Sequence, residues 1–214
     1  MDDDYLQPPS GYRFSEDSVL LARFLPAACG GRAADLGAGC GVVGLEALAS
    51  GRLRGLDSMF LVERDRSFQG FLDANAQRRA ASGPSGPRVE VIWADWREVG
   101  PGDFGGRLSV IVSNPPYVPA GAGRQPAPGR NQARREGPGG LEGLLDAAAR
   151  LLEPGGRLFL SWPRRRLAEL TRAAGLRSFF PAAIQTPARE RAPLVLAELL
   201  AKPLEEQRCF PAKR

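Results

Sequence analysis

A strand, a glycine-rich turn and a helix follow one another without interruption between residues 32 and 49. Residues Arg32–Leu36 are predicted to form a short strand that runs into the glycine-rich turn Asp35–Gly41 (DLGAGCG), and Val43–Ala49 predicts a helix that begins directly after the turn. Glycines suit such a turn because they lack a Cβ and let the backbone approach a ligand closely. A unit of this kind favours an α/β fold with a parallel sheet.

The rest of the chain repeats this alternation of strands and helices. It predicts a doubly wound, mostly parallel α/β sheet in one domain over residues 1–204, which includes an N-terminal capping segment and helix in 1–31, and a flexible tail over 205–214. The further helices are predicted at 15–24, 67–81, 141–152 and 167–174, and the further strands at 59–62, 89–93, 108–113, 157–162, 179–185 and 194–200.

The chain contains no histidine, and its three cysteines fit neither a disulfide framework nor a zinc pattern. We therefore expect no metal site, and catalysis must use carboxylates or backbone groups, or need little proton transfer before the chemical step. No apolar run approaches the roughly 20 residues that span a bilayer. The acidic N-terminus lacks the pattern of a signal peptide, so a cytoplasmic protein without membrane contact is expected.

Charge is unevenly distributed along the chain. Residues 1–120 carry a net charge of −3, whereas residues 121–214 carry +8. A basic half beside an acidic half suits a polyanionic substrate such as a nucleic acid. The alternative is that arginines merely decorate the surface, since Lys202 and Lys213 are the only lysines. Because both halves are expected to be solvated, we expect a monomer.

Four polar segments stand at the ends of predicted strands: Asp35–Gly41, Glu63, Asp95 and Asn114–Tyr117. In a doubly wound sheet, ligands bind beyond the carboxyl ends of the strands. The coincidence of all four segments with strand ends therefore predicts one site that they share.

The glycines of the first segment are compatible with two cofactors. Gly37, Gly39 and Gly41 shape a turn before a helix N-terminus, which favours a carboxylate or a phosphate. Gly39, Gly41 and Gly44 also match the dinucleotide fingerprint G-x-G-x-x-G, with Glu63 19 residues beyond Gly44. On this motif alone, a dinucleotide and S-adenosylmethionine (SAM) are both open.

Two aspartates favour SAM over a dinucleotide. Asp35 places a carboxylate where an ammonium group could bind and where a pyrophosphate would be repelled. Asp95 can accept a hydrogen bond from an adenine amino group, and Glu63 can bind ribose hydroxyls with either cofactor. Cys40, within the turn, is interpreted as a packed residue and not as a nucleophile.

The segment Asn114-Pro115-Pro116-Tyr117 forms the other half of the predicted site. An amide followed by two prolines and an aromatic makes a rigid ledge that carries hydrogen-bond acceptors beneath a stacking ring. Such a ledge suits the capture of a flat group bearing an NH2, and it places Asn114 beside the cofactor as well.

These segments resemble a known group of enzymes. Asp35–Gly41 followed by Asn114–Tyr117 is similar to the class I SAM-dependent amino-methyltransferases, which methylate exocyclic adenine or cytosine nitrogens or a glutamine amide. Residues 11–22 (GYRFSEDSVLLA) resemble the bacterial tRNA adenine-N6 methyltransferases that modify a valine tRNA beside its anticodon, and the likeness extends through 151–157. The resemblance implies a seven-stranded Rossmann-like sheet, SAM as cofactor and RNA, chiefly tRNA, as substrate.

The resemblance also implies roles for the ledge residues. The amine would donate hydrogen bonds to the Asn114 side-chain oxygen and the Pro115 carbonyl, which orient its lone pair for transfer. Tyr117 would stack on the base, a contact worth roughly 1–3 kcal/mol, and Pro116 would line the base pocket. Because SAM is already activated, no strong base is needed, consistent with the absence of histidine.

Arginines near the predicted site are candidates for phosphate contact. Residues 118–140 are rich in Gly, Pro and Arg and read as a long loop, of the kind that is usually functional or disordered. Arg134 and Arg135 lie in this loop, and Arg164 follows the predicted strand 157–162. We predict that these three side chains contact the substrate backbone.

Three other functions fit parts of the pattern. A protein glutamine-N5 methyltransferase acting on release factors would carry the same ledge, but that group usually has a helical domain before the SAM fold, and only 34 residues precede Asp35 here. An rRNA or DNA amino-methyltransferase would fit the chemistry, although no target-recognition domain is visible. A SAM-fold RNA-binding module would have no use for the ledge at Asn114.

Overall fold

Strands and helices alternate along the chain in the computed structural model, which describes residues 5–9, 16–80, 86–116, 140–187 and 193–202. The strands are β1 (Ala28–Leu36), β2 (Arg54–Val62), β3 (Arg88–Ile92), β4 (Leu108–Ser113), β5 (Leu152–Pro163), β6 (Phe179–Gln185) and β7 (Leu194–Ala201). The α-helices are α1 (Glu16–Phe24), α2 (Val42–Ala49), α3 (Gln69–Ala80), α4 (Gly140–Leu151) and α5 (Leu167–Leu176). The tail predicted at 205–214 and most of the loop predicted at 118–140 lie outside the described residues.

All seven strands form one sheet in the order β3-β2-β1-β4-β5-β7-β6. β1 pairs in parallel with β2 and with β4, β2 with β3, and β4 with β5. β7 runs antiparallel to both β5 and β6. The predicted fold class, a doubly wound and mostly parallel seven-stranded sheet, is therefore confirmed.

Apolar side chains cover both faces of the sheet. On one face, Leu21 of α1, Leu45 of α2 and Leu72 of α3 belong to a single buried cluster. On the other face, Leu144 of α4 and Leu170 of α5 belong to a second cluster. Each fully buried leucine contributes about 1.5–3 kcal/mol of transfer free energy, so both helical layers are held to the sheet mainly by apolar burial.

The start of β5 differs from the sequence-based expectation. A strand beginning at Arg157 was predicted, but β5 begins at Leu152 and includes Pro154-Gly155-Gly156. Leu152 pairs with Leu108 and Arg157 pairs with Val110, so the register shifts between these two pairs. The proline and the glycines sit in this irregularity, which absorbs residues that a regular ladder could not.

The five described α-helices are 8 to 12 residues long. None of these helices, within the described parts of the chain, is both long and apolar enough to cross a bilayer.

Candidate active site

Four neighbouring parallel strands end side by side and bring the predicted site segments together. Asp35 on β1 pairs with Leu61 on β2 and with Val112 on β4, and Val62 on β2 pairs with Ile92 on β3. Strands lie about 4.8 Å apart, so β3 through β4 span about 15 Å. The glycine turn, Glu63, Asp95 and Asn114 therefore line one edge of the sheet, as the sequence predicted.

The glycine turn adopts a backbone conformation that other residues rarely accept. Gly37, Gly39 and Gly41 have φ of 78°, 57° and 83°. A Cβ on Gly37 would lie 2.7 Å from Cζ3 of Trp96, so no side chain fits there. A Cβ on Gly39 would meet nothing within 4 Å, so the turn has open space on that side. The turn is thus packed against Trp96 on one side and accessible on the other.

Glu63, which directly follows β2, stabilises this turn through a hydrogen bond. Its Oε2 accepts a hydrogen bond from the Gly39 N–H at 2.8 Å, and its Oε1 accepts from the N–H groups of Arg64 and Asp65 at 2.9 and 2.7 Å. Glu63 is 8% exposed, and burial raises its pKa, although these backbone hydrogen bonds oppose the rise. The predicted contact with ribose hydroxyls stays a prediction, since both oxygens already accept backbone hydrogen bonds.

Asp35 is buried beneath the turn and has one unsatisfied oxygen. Its Oδ2 accepts from the Gly44 N–H at 2.9 Å and so caps the first turn of α2. No donor within the described residues reaches its Oδ1, although the residue is only 1% exposed. Burial, with a smaller contribution from the charge of Glu63, raises the pKa of Asp35 to about 7. The site therefore holds a buried acceptor that is suited to a cationic partner.

Asp95 is an ionised group held by two arginines. Arg97 donates to Oδ1 through Nε at 2.9 Å and to Oδ2 through a terminal nitrogen at 2.7 Å, and Arg64 donates to Oδ2 at 3.2 Å. The hydrogen bond from Arg97 holds the pKa of this carboxyl well below its usual range. Each oxygen therefore has a guanidinium partner, and the contact predicted between Asp95 and an adenine amino group stays a prediction.

The ledge begins at the residue after β4 and adjoins the glycine turn. Ser113, the last residue of β4, donates its hydroxyl proton to the Leu36 carbonyl at 2.7 Å, where β1 ends. Pro115 is buried, whereas Asn114 and Pro116 are half-buried. Because β1 and β4 are paired, the side chain of Asn114 and the turn lie at the same edge, which is the arrangement that the prediction required.

Two serines that the sequence analysis missed hold the Asn114 amide. Its Nδ2 donates to the Ser18 hydroxyl of α1 at 3.0 Å, and its Oδ1 accepts from the Ser161 hydroxyl of β5. Ser18 is 3% exposed and Ser161 is fully buried. For Ser161 the available signal was a polar residue inside the apolar run 158–162, because a buried hydroxyl needs a hydrogen-bond partner. Ser18 directly follows two acidic residues, so its burial had no comparable signal in the sequence.

Asn75, also missed, links the glycine turn to the N-terminal segment 5–9. This α3 residue is 3% exposed, and its amide donates to the carbonyls of Cys40 and Leu6, both at 2.9 Å. It also accepts from the Leu6 N–H at 2.9 Å. Burial raises the pKa of the Cys40 thiol to about 12, so Cys40 is a packed residue, as expected, and a poor nucleophile.

Only part of the predicted substrate-binding set can be located. Arg164 is exposed and begins a short 3₁₀ helix (Arg164–Arg166) after β5, at the same edge as the ledge, because β4 and β5 are parallel. Tyr117, Arg134 and Arg135 lie outside the described residues. Among the residues that are described, no cluster of three or more histidines, cysteines or carboxylates could hold a metal ion.

Comparison with known proteins identifies similar sequences. A family model described as "Methyltransferase small domain" matches residues 10–183. The tRNA1(Val) (adenine(37)-N6)-methyltransferase of Dickeya chrysanthemi is 36% identical over 154 residues, which cover 69% of this chain and 55% of that protein. The protein of the same name from Tolumonas auensis is 31% identical over 202 residues, which cover 91% of this chain and 80% of that protein. The predicted resemblance is confirmed, although the chain spans only about half the length of the first relative.

A solved structure shares the fold. A methyltransferase from Pyrococcus furiosus superposes with a TM-score of 0.60, covers 94% of this chain and 89% of that one, and is 19% identical. At that identity the likeness concerns the arrangement of the sheet and its helices.

Proposed function

This chain belongs to the methyltransferase small domain family, and from that premise we propose that it transfers a methyl group from SAM to the exocyclic N6 amine of an adenine in RNA, chiefly tRNA. The observation that carries the proposal is the position of Asn114 beside the glycine turn. Ser113 and Leu36, at the ends of the paired strands β4 and β1, are hydrogen bonded at 2.7 Å. This supports the proposal, because the residue proposed to accept the amine and the turn proposed to bind the cofactor lie at adjacent strand ends.

The residues of the turn fit SAM. When bound, SAM supplies a methyl group on a positively charged sulfur. The unsatisfied Oδ1 of Asp35 would hold its ammonium group, and the open side of Gly39 leaves room for a ligand against the backbone. Glu63 would bind the ribose hydroxyls and Asp95 the adenine amino group, in addition to the partners that both carboxylates already have.

Asn114 and Pro115 would orient the amine. The lone pair of an aromatic amine is delocalised into its ring, so the nitrogen is a poor nucleophile until it is drawn toward tetrahedral geometry. Hydrogen bonds from the amine to Asn114 Oδ1 and to the Pro115 carbonyl would do this and would fix its direction. An amide oxygen can accept two hydrogen bonds, so the bond from Ser161 is compatible with a second donor. The proton released after transfer passes to water, since neither acceptor is basic.

The substrate side favours a single-stranded or loop base of an RNA. A loop base can be turned out of its stack at lower cost than a paired one, and Tyr117 would stack on it. Arg134, Arg135 and the exposed Arg164 would contact phosphates, consistent with the net charge of +8 over residues 121–214. A tRNA substrate places the activity in the cytoplasm, and we expect a monomer to be the active form.

Methyl transfer tests this proposal directly. The purified protein is incubated with labelled SAM and either bulk tRNA or a release factor, and digested tRNA is analysed for N6-methyladenosine. We expect label in tRNA as N6-methyladenosine. Label in the release factor would instead assign the protein to the glutamine-N5 group, and label in neither, with SAM still bound, would contradict both substrates.

Replacement of Asn114 separates the amine site from the cofactor site. Asn114→Ala removes the acceptor and leaves the glycine turn intact, so we expect transfer to fall at least 100-fold, the scale of losing a group that acts in the transition state. SAM affinity, measured by calorimetry, should change less than about twofold. A loss of SAM affinity as large as that of Asp35→Ala would contradict the assignment of Asn114 to the amine.

A further inference from the structure

The Asn114 side chain is held from two sides by buried hydroxyl groups. Ser18 on α1 accepts from Nδ2 at 3.0 Å, and Ser161 on β5 donates to Oδ1. These two serines come from elements 96 and 47 residues away in sequence. Ser18 is 3% exposed and Ser161 is fully buried, so water competes little for either bond.

The orientation of this amide matters because its two ends are chemically different. The oxygen only accepts hydrogen bonds and the NH2 group only donates them. The terminal torsion of asparagine is broad and roughly two-fold, so rotation would exchange the two ends. An amine can be captured by Asn114 Oδ1 only when the oxygen, and not the NH2 group, is directed toward it.

The two serines of β4, the buried Ser113 and the half-buried Ser109, have different hydrogen-bond partners. Ser113 donates to the Leu36 carbonyl at 2.7 Å, and the single hydroxyl proton of Ser109 is shared between the carbonyls of Gly30 and Arg32, whose oxygens lie 2.6 and 3.0 Å from its Oγ. Serine hydroxyls commonly form hydrogen bonds with backbone groups in this way. Ser18 and Ser161 are distinguished by bonds to the Asn114 side chain.

We propose that Ser18 and Ser161 are positioning residues that hold the Asn114 amide in one orientation, with Oδ1 presented to the substrate amine. The inference rests on the proposed function in one respect, namely that Asn114 is the acceptor of the amine. It adds a specific mechanism: α1 and β5 jointly set the direction of the acceptor, so the N-terminal helix contributes to catalysis without touching the substrate.

Kinetics of serine variants test the catalytic part. Ser18→Ala and Ser161→Ala should each lower kcat about tenfold, the effect of losing one net hydrogen bond in the transition state, while KM for the substrate and the Kd of SAM change less than about twofold. Ser161→Thr, which keeps a hydroxyl, should recover most of the rate. Ser109→Ala is the matched control: it removes hydrogen bonds at the other end of β4 and should leave kcat unchanged.

A second measurement does not depend on activity. The chain has three asparagines, Asn75, Asn114 and Asn131, so protein labelled with ¹⁵N-asparagine gives only three side-chain NH2 pairs by NMR. The pair that disappears in Asn114→Ala identifies Asn114. In Ser18→Ala and in Ser161→Ala this pair should shift and exchange with solvent at least tenfold faster, while the pair of Asn75 stays unchanged.

The two measurements distinguish the failure of this inference from the failure of the proposed function. Unchanged NMR signals of Asn114 in both serine variants would overturn the positioning role, whatever the activity. Altered signals with an unchanged kcat would also overturn it, because orientation would then not matter. If the wild type leaves tRNA unmethylated but the Asn114 signals change in the serine variants, the result would support the positioning of Asn114 by the serines and contradict only the proposed substrate.

Discussion

Asp35→Asn should make the folded protein more stable at alkaline pH while weakening its cofactor site. Burial raises the pKa of Asp35 from its ordinary value of 3.8 to about 7. The folded state therefore binds the proton more tightly than the unfolded state, so the stability present below pH 4 is lost as pH rises through 7. At 1.36 kcal/mol per pKa unit, the ionised carboxylate costs about 4 kcal/mol at pH 8.

The net gain is smaller because asparagine introduces a new donor. Its oxygen can accept from the Gly44 N–H, as Asp35 Oδ2 does at 2.9 Å. Its NH2 group then occupies the position of Oδ1, where no acceptor is expected, at a cost of roughly 1–3 kcal/mol. We therefore expect the free energy of unfolding of Asp35→Asn to exceed that of the wild type by about 1–3 kcal/mol at pH 8. Relative to the wild type, its advantage should grow by about 2.5 kcal/mol between pH 5 and pH 8.

Urea unfolding followed by tryptophan fluorescence measures this difference at both pH values. Titrations elsewhere in the chain largely cancel when the variant is compared with the wild type at the same pH. Asp57→Asn, which removes an exposed carboxylate from β2, controls for the loss of charge. A stability difference for Asp35→Asn that stays constant within about 0.5 kcal/mol from pH 5 to pH 8 would refute the raised pKa of Asp35.

The same variant tests why an unfavourable carboxylate is present at all. If Asp35 holds the ammonium group of SAM, then Asp35→Asn should bind SAM at least tenfold more weakly at pH 8, despite its higher stability. In the wild type, SAM affinity should fall as pH drops below 7, because protonation of Asp35 removes the negative charge that would attract the ammonium group of SAM. Calorimetry at pH 6 and pH 8 measures both effects, and equal affinities of variant and wild type at pH 8 would exclude this contact.

Further predictions concern the glycine turn, Glu63 and the arginines of the predicted loop 118–140. Gly37→Ala should lower the free energy of unfolding by roughly 2–4 kcal/mol, because φ is 78° and a Cβ would lie 2.7 Å from an aromatic carbon of Trp96. Gly39→Ala should lower it by only about 1 kcal/mol, because a Cβ there would meet nothing within 4 Å. Thermal unfolding measures the stability of both variants. Glu63→Gln should weaken SAM binding at least tenfold in calorimetry, since a side-chain NH2 group would face backbone N–H donors. Arg134→Ala with Arg135→Ala should weaken RNA binding and reduce the slope of log affinity against log salt by up to about 2; an unchanged slope would show that these charges do not contact phosphates.

The sequence predicted the fold and the site edge because both depend on local patterns. Short apolar runs alternate with helical periods, and the polar segments follow the strands directly, so the parallel sheet collects them without further information. β5 was placed five residues too late because Pro154-Gly155-Gly156 reads as a break. In the structure, pairing with β4 continues past it through a register shift.

The contacts of the site residues were less predictable because they join distant parts of the chain. Asp95 could be read as a free acceptor in the sequence, yet Arg64, 31 residues earlier, donates to it in addition to its near neighbour Arg97. Asn75 reads as an ordinary helix residue, although it joins the glycine turn to the N-terminal segment. Such partners depend on which helix packs on which strand end, and that is set by the tertiary fold.

The chemistry of the site therefore rests on two levels of organisation. The ends of the neighbouring strands β2, β1 and β4 bring Glu63, Asp35 and Asn114 to the same edge of the sheet, and this arrangement can be predicted from the sequence. Burial and long-range hydrogen bonds then determine the chemical properties of each group. Burial raises the pKa of Asp35, Glu63 accepts a hydrogen bond from the glycine turn, and the Asn114 amide is hydrogen bonded to Ser18 and Ser161. If Ser18 and Ser161 position Asn114 as proposed, a substitution in α1 or β5 would lower methyl transfer without altering any residue of the Asn-Pro-Pro-Tyr motif that follows β4.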